Sequence, residues 1–137
     1  MNYLGLDVAV AALLVGTAIG MLWRRRYGHL VAGSAERLPV GLVPPSTDAV
    51  TLVHFSSATC RPCRQVAAVC DDVAGDLTGV RHVEIDAERH LDATRALRIL
   101  RLPTLLLVDR DGRVAQRAVG VPDRASLRQA VVEVMAA

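Results

Sequence analysis

A long apolar run near the amino terminus constrains this chain more than any other feature. Residues 3–23 read YLGLDVAVAALLVGTAIGMLW, and Asp7 is the one charged residue among them. A helix of that length, at about 1.5 Å per residue, spans roughly the 30 Å of a bilayer's hydrocarbon core. Tyr3 and Trp23 stand at its two ends, where aromatic side chains favour the level of the lipid headgroups. The run therefore predicts one transmembrane helix followed by a single domain.

Three consecutive arginines, Arg24, Arg25 and Arg26, follow the apolar run directly. A cleaved signal peptide carries its basic residues before the apolar stretch and a small-residue cleavage site after it, so this order indicates a retained anchor. Basic flanks stay on the cytoplasmic side of a membrane. The sequence therefore predicts a single-pass protein of the cell membrane whose domain faces the cytoplasm.

The charges of the remaining chain argue against binding to nucleic acid. The 137 residues carry a formal net charge of +2, from 16 basic and 14 acidic residues. When the three arginines of the flank and Asp7 are set aside, 13 of each sign remain. They are interleaved rather than clustered into the basic face that a polyanion requires. Every basic residue is arginine and alanine is abundant, a composition that suggests a bacterial source with a GC-rich genome.

Strand-like and helix-like segments alternate after the basic flank. Residues 27–49 contain Gly, Pro and Ser and predict a linker, with room for one short strand near residues 38–43. Residues 50–137 have a strand, helix, strand, helix, hairpin, helix order, which is typical of an α/β domain with a central mixed sheet flanked by helices. Residues 1–26 form the anchor. The predicted strands cover 50–55, 80–85, 104–108 and 113–119, and the predicted helices cover 61–75, 91–100 and the segment capped by Asp123.

The chain has three cysteines, Cys60, Cys63 and Cys70, an odd number that does not fit the disulfide framework of a small secreted protein. Cys60 begins a predicted helix, where free backbone amides favour a thiolate, and Arg61 adds positive charge. Pro62 suits the first helical turn. Cys60 is therefore the predicted nucleophile, and Cys63 is predicted to resolve the mixed disulfide with the substrate. Cys70 is predicted to pack in the core.

Several separated motifs resemble those of the thioredoxin family, in the family's order: VHFSSATCRPCRQVAAVC, HVEIDAE, LRLPTLLLVDRDGRV and AVG. The similarity covers roughly residues 50–136 and implies a thioredoxin fold that exchanges electrons with protein disulfides. It also implies a cis peptide bond between Leu102 and Pro103. Pro103 and Thr104 would then lie against the dithiol and orient the substrate backbone. Gly120 resembles the family's glycine in the loop beside the dithiol.

The chain departs from the family pattern around the dithiol. Thr59 stands where Trp usually precedes the first cysteine, and Ser56 stands where another Trp is common, so a smaller and less apolar substrate face is expected. His54 replaces an aspartate that the family buries under the dithiol. An imidazole, with an ordinary pKa of about 6.5, can move the proton of Cys63 if it reaches that thiol. The alternative is a core histidine whose nitrogens bond to a neighbour.

The residues leave two other functions open. One is a thioredoxin-fold adaptor at the membrane, which the loss of Trp at Thr59 favours and the retained dithiol and Pro103 disfavour. The other is a zinc site of the three cysteines and one histidine, although structural zinc sites usually combine two short ligand pairs. The preferred prediction is a thiol:disulfide oxidoreductase without cofactor or metal. In the reducing cytoplasm it would act as a reductant of protein disulfides and receive electrons from a system resembling thioredoxin reductase.

Overall fold

In the computed structural model, which describes residues 3–34, 36–44 and 46–137, one mixed sheet lies between helices. A separate apolar helix precedes it. The elements in chain order are α1 (Tyr3–Arg26), β1 (Val31–Ala32), β2 (Val50–Ser56), α2 (Arg61–Asp76), β3 (Val80–Asp86), α3 (Leu91–Ala96), β4 (Thr104–Val108), β5 (Val114–Val119) and α4 (Arg124–Ala136).

The five strands are arranged in the order β1-β5-β4-β2-β3. β2 and β3 are parallel, and the other neighbouring pairs are antiparallel. Parallel neighbours need a crossover, and α2 provides it between β2 and β3. The chain therefore leaves the carboxyl end of β2 and enters α2 after a short turn. This arrangement confirms the predicted central mixed sheet flanked by helices.

Alternation along β2 divides the core into two clusters, one on each face of the sheet. Val50 and Leu52 pack in the cluster that contains residues of α2 and α4, whereas Val53 and Phe55 pack in the cluster on the opposite face. The α2–α4 face holds Val66, Cys70, Val73, Leu127, Ala130 and Val131, all buried. This is the burial expected for the apolar positions of these two helices. The predicted cap of α4 is also confirmed, since Asp123 accepts a hydrogen bond from the Ser126 backbone N–H at 3.0 Å.

Two predicted elements differ from those in the structure. The short strand expected near residues 38–43 lies instead at Val31–Ala32, where it forms the edge of the sheet beside β5. The helix expected to reach Leu100 ends at Ala96. Beyond it the backbone turns at Arg98, which has a φ of +49°, and this turn buries Leu97 and Ile99 in the second cluster.

The end of α1 is joined directly to the edge of the sheet. The Gly28 N–H donates to the Val119 carbonyl at 2.7 Å. Gly28 has a φ of +81°, and a Cβ at this position would lie 2.1 Å from the carbonyl oxygen of Val121, so only glycine permits this close approach. Within the described residues, α1 is the one helix that is long and apolar enough to cross a membrane. Signal sequences have the same length and composition.

Candidate active site

The Cys60–Cys63 pair lies where β2 leads into α2. Cys60 caps the amino terminus of α2, and Pro62 occupies its first turn beside the exposed Arg61. The two sulfurs are 2.07 Å apart and form a disulfide, with a Cα–Cα distance of 5.4 Å. Cys60 is partly exposed, whereas Cys63 is 2% exposed. An incoming group can therefore reach the outer sulfur but not the inner one.

The loop before β4 shares a cavity with the helix that begins at the dithiol. The Leu102–Pro103 peptide bond is cis, as predicted. The Pro103 carbonyl accepts a hydrogen bond from the Gly120 N–H at 2.9 Å, which holds the two loops together. Thr104 is buried, and its hydroxyl donates to the Arg101 carbonyl at 2.6 Å, so its side chain supports the loop from within.

An open cavity of about 610 Å³ connects these loops with the dithiol helix. We call it the substrate groove. Pro62 of α2 lines one side, and Leu102, Pro103 and Gly120 line another. Four residues that the sequence singled out at separate points of the chain thus meet around one space. The full lining is Arg24, Tyr27, Pro62, Gln65, Leu102, Pro103, Gly120 and Val121.

Two residues of this groove, Arg24 and Tyr27, were not predicted, because Arg24 belongs to the basic flank and Tyr27 to the linker, both outside the family resemblance. The Tyr27 ring lies against Gly120, where a Cβ would come within 2.3 Å of Tyr27 Cδ1. Gly120 has a φ of +96°, so both its backbone conformation and this contact require glycine. No local sequence pattern predicts the contact between Tyr27 and Gly120, because these residues are more than 90 positions apart in the sequence.

His54 is fully buried in β2, on the face that α2 covers. Neither ring nitrogen has a hydrogen-bond partner among the described residues. This arrangement does not match the alternative of a core histidine that bonds to a neighbour. Burial lowers the pKa of His54 to about 4, although the carboxylate of Glu84 acts in the opposite direction. The ring is therefore neutral at neutral pH.

A second imidazole, which the sequence analysis did not select, lies against the first. The rings of His54 and His82 are stacked with centroids 5.8 Å apart. His82 Nδ1 lies 2.7 Å from a carboxylate oxygen of Asp71 on α2, and its Nε2 is buried without a partner among the described residues. The parallel register of β2 and β3 sets His54 opposite Glu84, and side chains two residues apart share a face. His82 therefore lies on the same face of β3 as Glu84, next to His54. Pairing the two predicted strands in this register would have placed His82 beside His54.

Cys70 is buried in α2, as predicted. Burial raises the pKa of its thiol to about 12, and the charge of Asp71 acts in the same direction. Within the part of the chain that the structure describes, no three His, Cys, Asp or Glu side chains are arranged to hold a metal ion. The alternative of a zinc site therefore has no ligand set there.

Known proteins share this fold and sequence pattern. The Thioredoxin family model matches residues 45–133. Thioredoxin from Mycolicibacterium smegmatis is 32% identical over 79 residues, which cover 56% of this chain and 70% of that protein. Thioredoxin from Mycobacterium tuberculosis is 29% identical over 91 residues, which cover 66% of this chain and 78% of that protein.

A solved thioredoxin structure is also similar to this chain in its fold. The crystal structure of chloroplastic thioredoxin z superposes with a TM-score of 0.59 at 28% identity, over 66% of this chain and 81% of that one. Three findings therefore point to the same family: the sequence matches, the superposition, and the disulfide between Cys60 and Cys63 at the start of α2. The chain therefore belongs to the thioredoxin family and is a protein-disulfide oxidoreductase of the thioredoxin type.

Proposed function

We propose that this protein is a membrane-anchored reductant of protein disulfides at the cytoplasmic face of a bacterial membrane. The observation that carries the proposal is the Cys60–Cys63 pair at the start of α2, with one sulfur accessible and the other buried. Free backbone amides at a helix start stabilise a thiolate, and the neighbouring Arg61 adds positive charge. Cys60 is thus the nucleophile of the reduced protein.

The reaction consists of two thiol–disulfide exchanges. The Cys60 thiolate attacks one sulfur of the substrate disulfide, and the other substrate sulfur leaves as a thiolate that takes up a proton. Cys63, once it has lost its proton, attacks the Cys60 sulfur and releases the second substrate thiolate. The substrate gains two electrons and two protons. The protein loses the same two electrons and closes the Cys60–Cys63 disulfide.

The substrate groove holds the peptide that carries the target disulfide. Pro103 has no N–H, and Gly120 has no side chain, so an extended backbone can approach both loops closely. Thr104 and Leu102 position the Pro103 loop from either side. The exposed Thr59 presents less apolar area than an aromatic residue would, which favours substrates with smaller contact surfaces. Ser56, by contrast, is buried and donates a hydrogen bond to Glu84, so it is not part of the substrate face, contrary to the prediction.

We propose that His54 accepts the proton of Cys63 through an intervening water, because neither ring nitrogen is hydrogen-bonded to Cys63 in the oxidised structure. The neutral imidazole lies on the face of β2 that packs against α2, the helix that carries Cys63. Its low pKa of about 4 makes a persistent imidazolium unfavourable, so the proton has to move on. His82 stacks on His54 and is bonded to the exposed carboxylate of Asp71, so a second imidazole and a carboxylate lie on the side of His54 that faces solvent-exposed Asp71.

The position at the membrane rests on α1 and its basic flank. The helix is long and apolar enough to span a bilayer, and Arg24, Arg25 and Arg26 follow it directly. A retained anchor with this flank leaves the domain in the cytoplasm. A cytoplasmic domain requires a source of electrons there, and an enzyme system resembling thioredoxin reductase would regenerate the dithiol.

Trapping experiments test the enzymatic proposal. The reduced Cys63→Ser protein should accumulate mixed disulfides with substrate, and Cys60→Ser should form none. Wild-type protein should reduce a protein disulfide catalytically in the presence of dithiothreitol. A thioredoxin-fold adaptor would bind partners equally well when both cysteines are serine and would show no turnover. Cys60 that reacts with iodoacetamide no faster than a free thiol at neutral pH would contradict the assignment.

The reduction potential of the Cys60–Cys63 couple tests the direction of electron flow. A cytoplasmic reductant requires a value more negative than about −230 mV, as in thioredoxin at about −270 mV. Equilibration with glutathione buffers of known ratio, followed by alkylation and mass measurement, gives the potential. A value near −120 mV, as in strongly oxidising dithiols, would assign the protein to disulfide formation instead.

A further inference from the structure

A second cavity lies on the other side of Tyr27, between the end of α1 and the domain. Its volume is about 560 Å³, within the range of small-molecule sites. We call it the arginine pocket, because four of its lining residues are arginines and none is acidic. The lining is Trp23, Arg26, Tyr27, Arg98, Leu100, Arg101, Thr104, Arg117 and Val119.

The arginines of the arginine pocket have no acidic partner among the described residues. No carboxylate of the described residues lies within 4.0 Å of a guanidinium nitrogen of Arg26, Arg98 or Arg101. Arg117 uses one nitrogen to donate to the Leu97 carbonyl at 2.6 Å and keeps its other donors. Convergent guanidinium groups without acidic partners form a site for an oxyanion, and their planar forks fit phosphate oxygens in pairs.

The three segments that form the pocket come from distant parts of the sequence. Arg26 follows the apolar helix, Arg98 and Arg101 belong to the loop after α3, and Arg117 lies on β5. The backbone of Arg98 is held at a φ of +49°, in a turn that buries the residues on either side of it. The loop is thereby fixed with two arginines directed toward the end of the membrane helix.

If α1 spans a membrane as proposed, the pocket at its carboxyl end lies at the level of the lipid headgroups. Trp23 and Tyr27 line it, and aromatic side chains at the end of an apolar helix favour the membrane–water interface. Leu100 of the same lining is 91% exposed and adds apolar surface beside the two aromatic rings. A soluble anion site would not need this combination of arginines with exposed apolar and aromatic groups.

We propose that the arginine pocket binds the phosphate group of an anionic phospholipid headgroup. The inference rests on the membrane attachment of α1 under the proposed function and goes beyond it by assigning a ligand site. Tyr27 and Arg26 contribute from the anchor side, and Arg98, Arg101 and Arg117 contribute from the domain. Because Tyr27 also lines the substrate groove, a bound headgroup fixes the orientation of that groove relative to the membrane.

A titration of the full chain in neutral detergent micelles tests this site. Trp23 is the one tryptophan of the chain and lines the pocket, so its fluorescence reports occupancy. Dihexanoyl-phosphatidylglycerol, dihexanoyl-phosphatidylcholine and inorganic phosphate are added separately at constant ionic strength. We expect a saturable response to phosphatidylglycerol with an affinity at least about tenfold higher than for phosphatidylcholine. Inorganic phosphate should compete only weakly, because it lacks the apolar part that Leu100 and Trp23 contact.

Matched arginine variants identify the pocket as the binding site. Arg98→Gln with Arg101→Gln should weaken binding of phosphatidylglycerol at least about tenfold. The control, Arg110→Gln with Arg128→Gln, removes the same charge from exposed positions outside the pocket and should leave the affinity unchanged. Arg98→Lys with Arg101→Lys should give an intermediate affinity, because charge is kept while paired hydrogen bonds are lost.

The results separate this inference from the proposal on which it depends. Equal affinity for the two lipids, an equal loss in both glutamine pairs, or saturation by inorganic phosphate without a response to phosphatidylglycerol would overturn the headgroup site. Extraction of the chain from membranes at alkaline pH would instead overturn the membrane anchor. Reduction of a soluble protein disulfide in the same preparation reports on the dithiol independently of both.

Discussion

The buried imidazole of His54 is unusual because its surroundings give it no hydrogen-bond partner. An unpartnered buried polar group costs about 1–3 kcal/mol. Leucine or phenylalanine would fill the same position of a buried strand without that cost. Retention of a ring that can carry a proton, on the face that packs against the dithiol helix, agrees with a function in proton transfer from Cys63.

The low pKa of His54 predicts a pH dependence of stability. In the unfolded chain the ring takes up a proton near pH 6.5, whereas in the folded chain it does so only near pH 4. The unfolded state therefore binds more protons between these values, and the free energy of unfolding falls as the pH is lowered from about 6.5 to about 4. The expected loss is roughly 3 kcal/mol by pH 4.

Denaturant unfolding of the oxidised protein at several pH values, in wild type and in His54→Leu, measures this effect. The difference between the two curves isolates the histidine, because the other titrating groups are common to both proteins. The wild type should lose stability relative to the variant below pH 6.5. Parallel curves for the two proteins over this range would show that the His54 ring is protonated equally in the folded and unfolded states, which would contradict the prediction.

The dithiol and Cys70 should differ in reactivity. The thiol of Cys70 is buried and its pKa is raised to about 12, so it stays protonated and unreactive at pH 8. Iodoacetamide should therefore modify Cys60 first in the reduced folded protein and leave Cys70 intact until denaturant is added. Peptide mass analysis after timed quenching gives the order. Modification of Cys70 at the rate of Cys60 would contradict its buried position.

At the scale of elements, the junction between α1 and the sheet determines the shape of the substrate groove. The hydrogen bond from Gly28 to Val119 holds the basic flank beside β5, so that Arg24 and Tyr27 reach the Pro103 loop. A flexible tether would leave that side of the groove open. The end of α1 and Tyr27 therefore contribute directly to the proposed substrate groove, in addition to any attachment to a membrane.

Reversal of the charge at Arg24 should change the choice of substrate. Arg24→Glu should lower kcat/KM about fivefold for disulfide peptides with acidic residues beside the cysteine and raise it for peptides with basic ones. Arg25→Glu changes the charge equally at the neighbouring position, which does not line the groove, and serves as the control. A similar response of the two variants to peptide charge would mean that only the net charge of the flank matters.

At the scale of the whole molecule, the sheet and its helices bury two clusters without any contribution from α1. No described residue of α1 belongs to these clusters, and the window that could cross a membrane is not buried. The domain that carries the dithiol therefore contains its own core. Among the described residues of α1, those that line cavities with the domain lie at its carboxyl end, from Trp23 onward.

Removal of residues 1–23 should separate redox chemistry from location. The shortened chain keeps Arg24, Tyr27 and Gly28 and should have an unchanged reduction potential, because the start of α2 is intact. It should leave the membrane fraction and lose most of its activity toward a disulfide protein embedded in vesicles, while turnover of a soluble disulfide peptide stays within about twofold. Equal activity of both chains on the embedded substrate would contradict a role for the anchor in substrate selection.

Many features of this protein follow from its local sequence. The strand that leads into the dithiol helix, the Asp123 cap and the apolar faces of α2 and α4 depend on residues close together in the chain, and the structure has them as predicted. The end of α3 was predicted too late, because Ala93, Leu97 and Leu100 are spaced as on one face of a helix, whereas a turn at Arg98 ends the helical conformation and buries Leu97 and Ile99. The position of β1 was also wrong, since a two-residue edge strand has too few side chains to produce a periodic pattern.

The sequence by itself determined the apolar helix, the order of strands and helices, and the dithiol at a helix start. These depend on hydropathy, turn residues and spacing over a few positions. Only the tertiary structure decided that Tyr27 closes the substrate groove, that His82 stacks on His54 and that Arg26 meets Arg98, Arg101 and Arg117. Strand register and the packing of the chain ends bring such residues together from distant positions, and no local pattern encodes those distances.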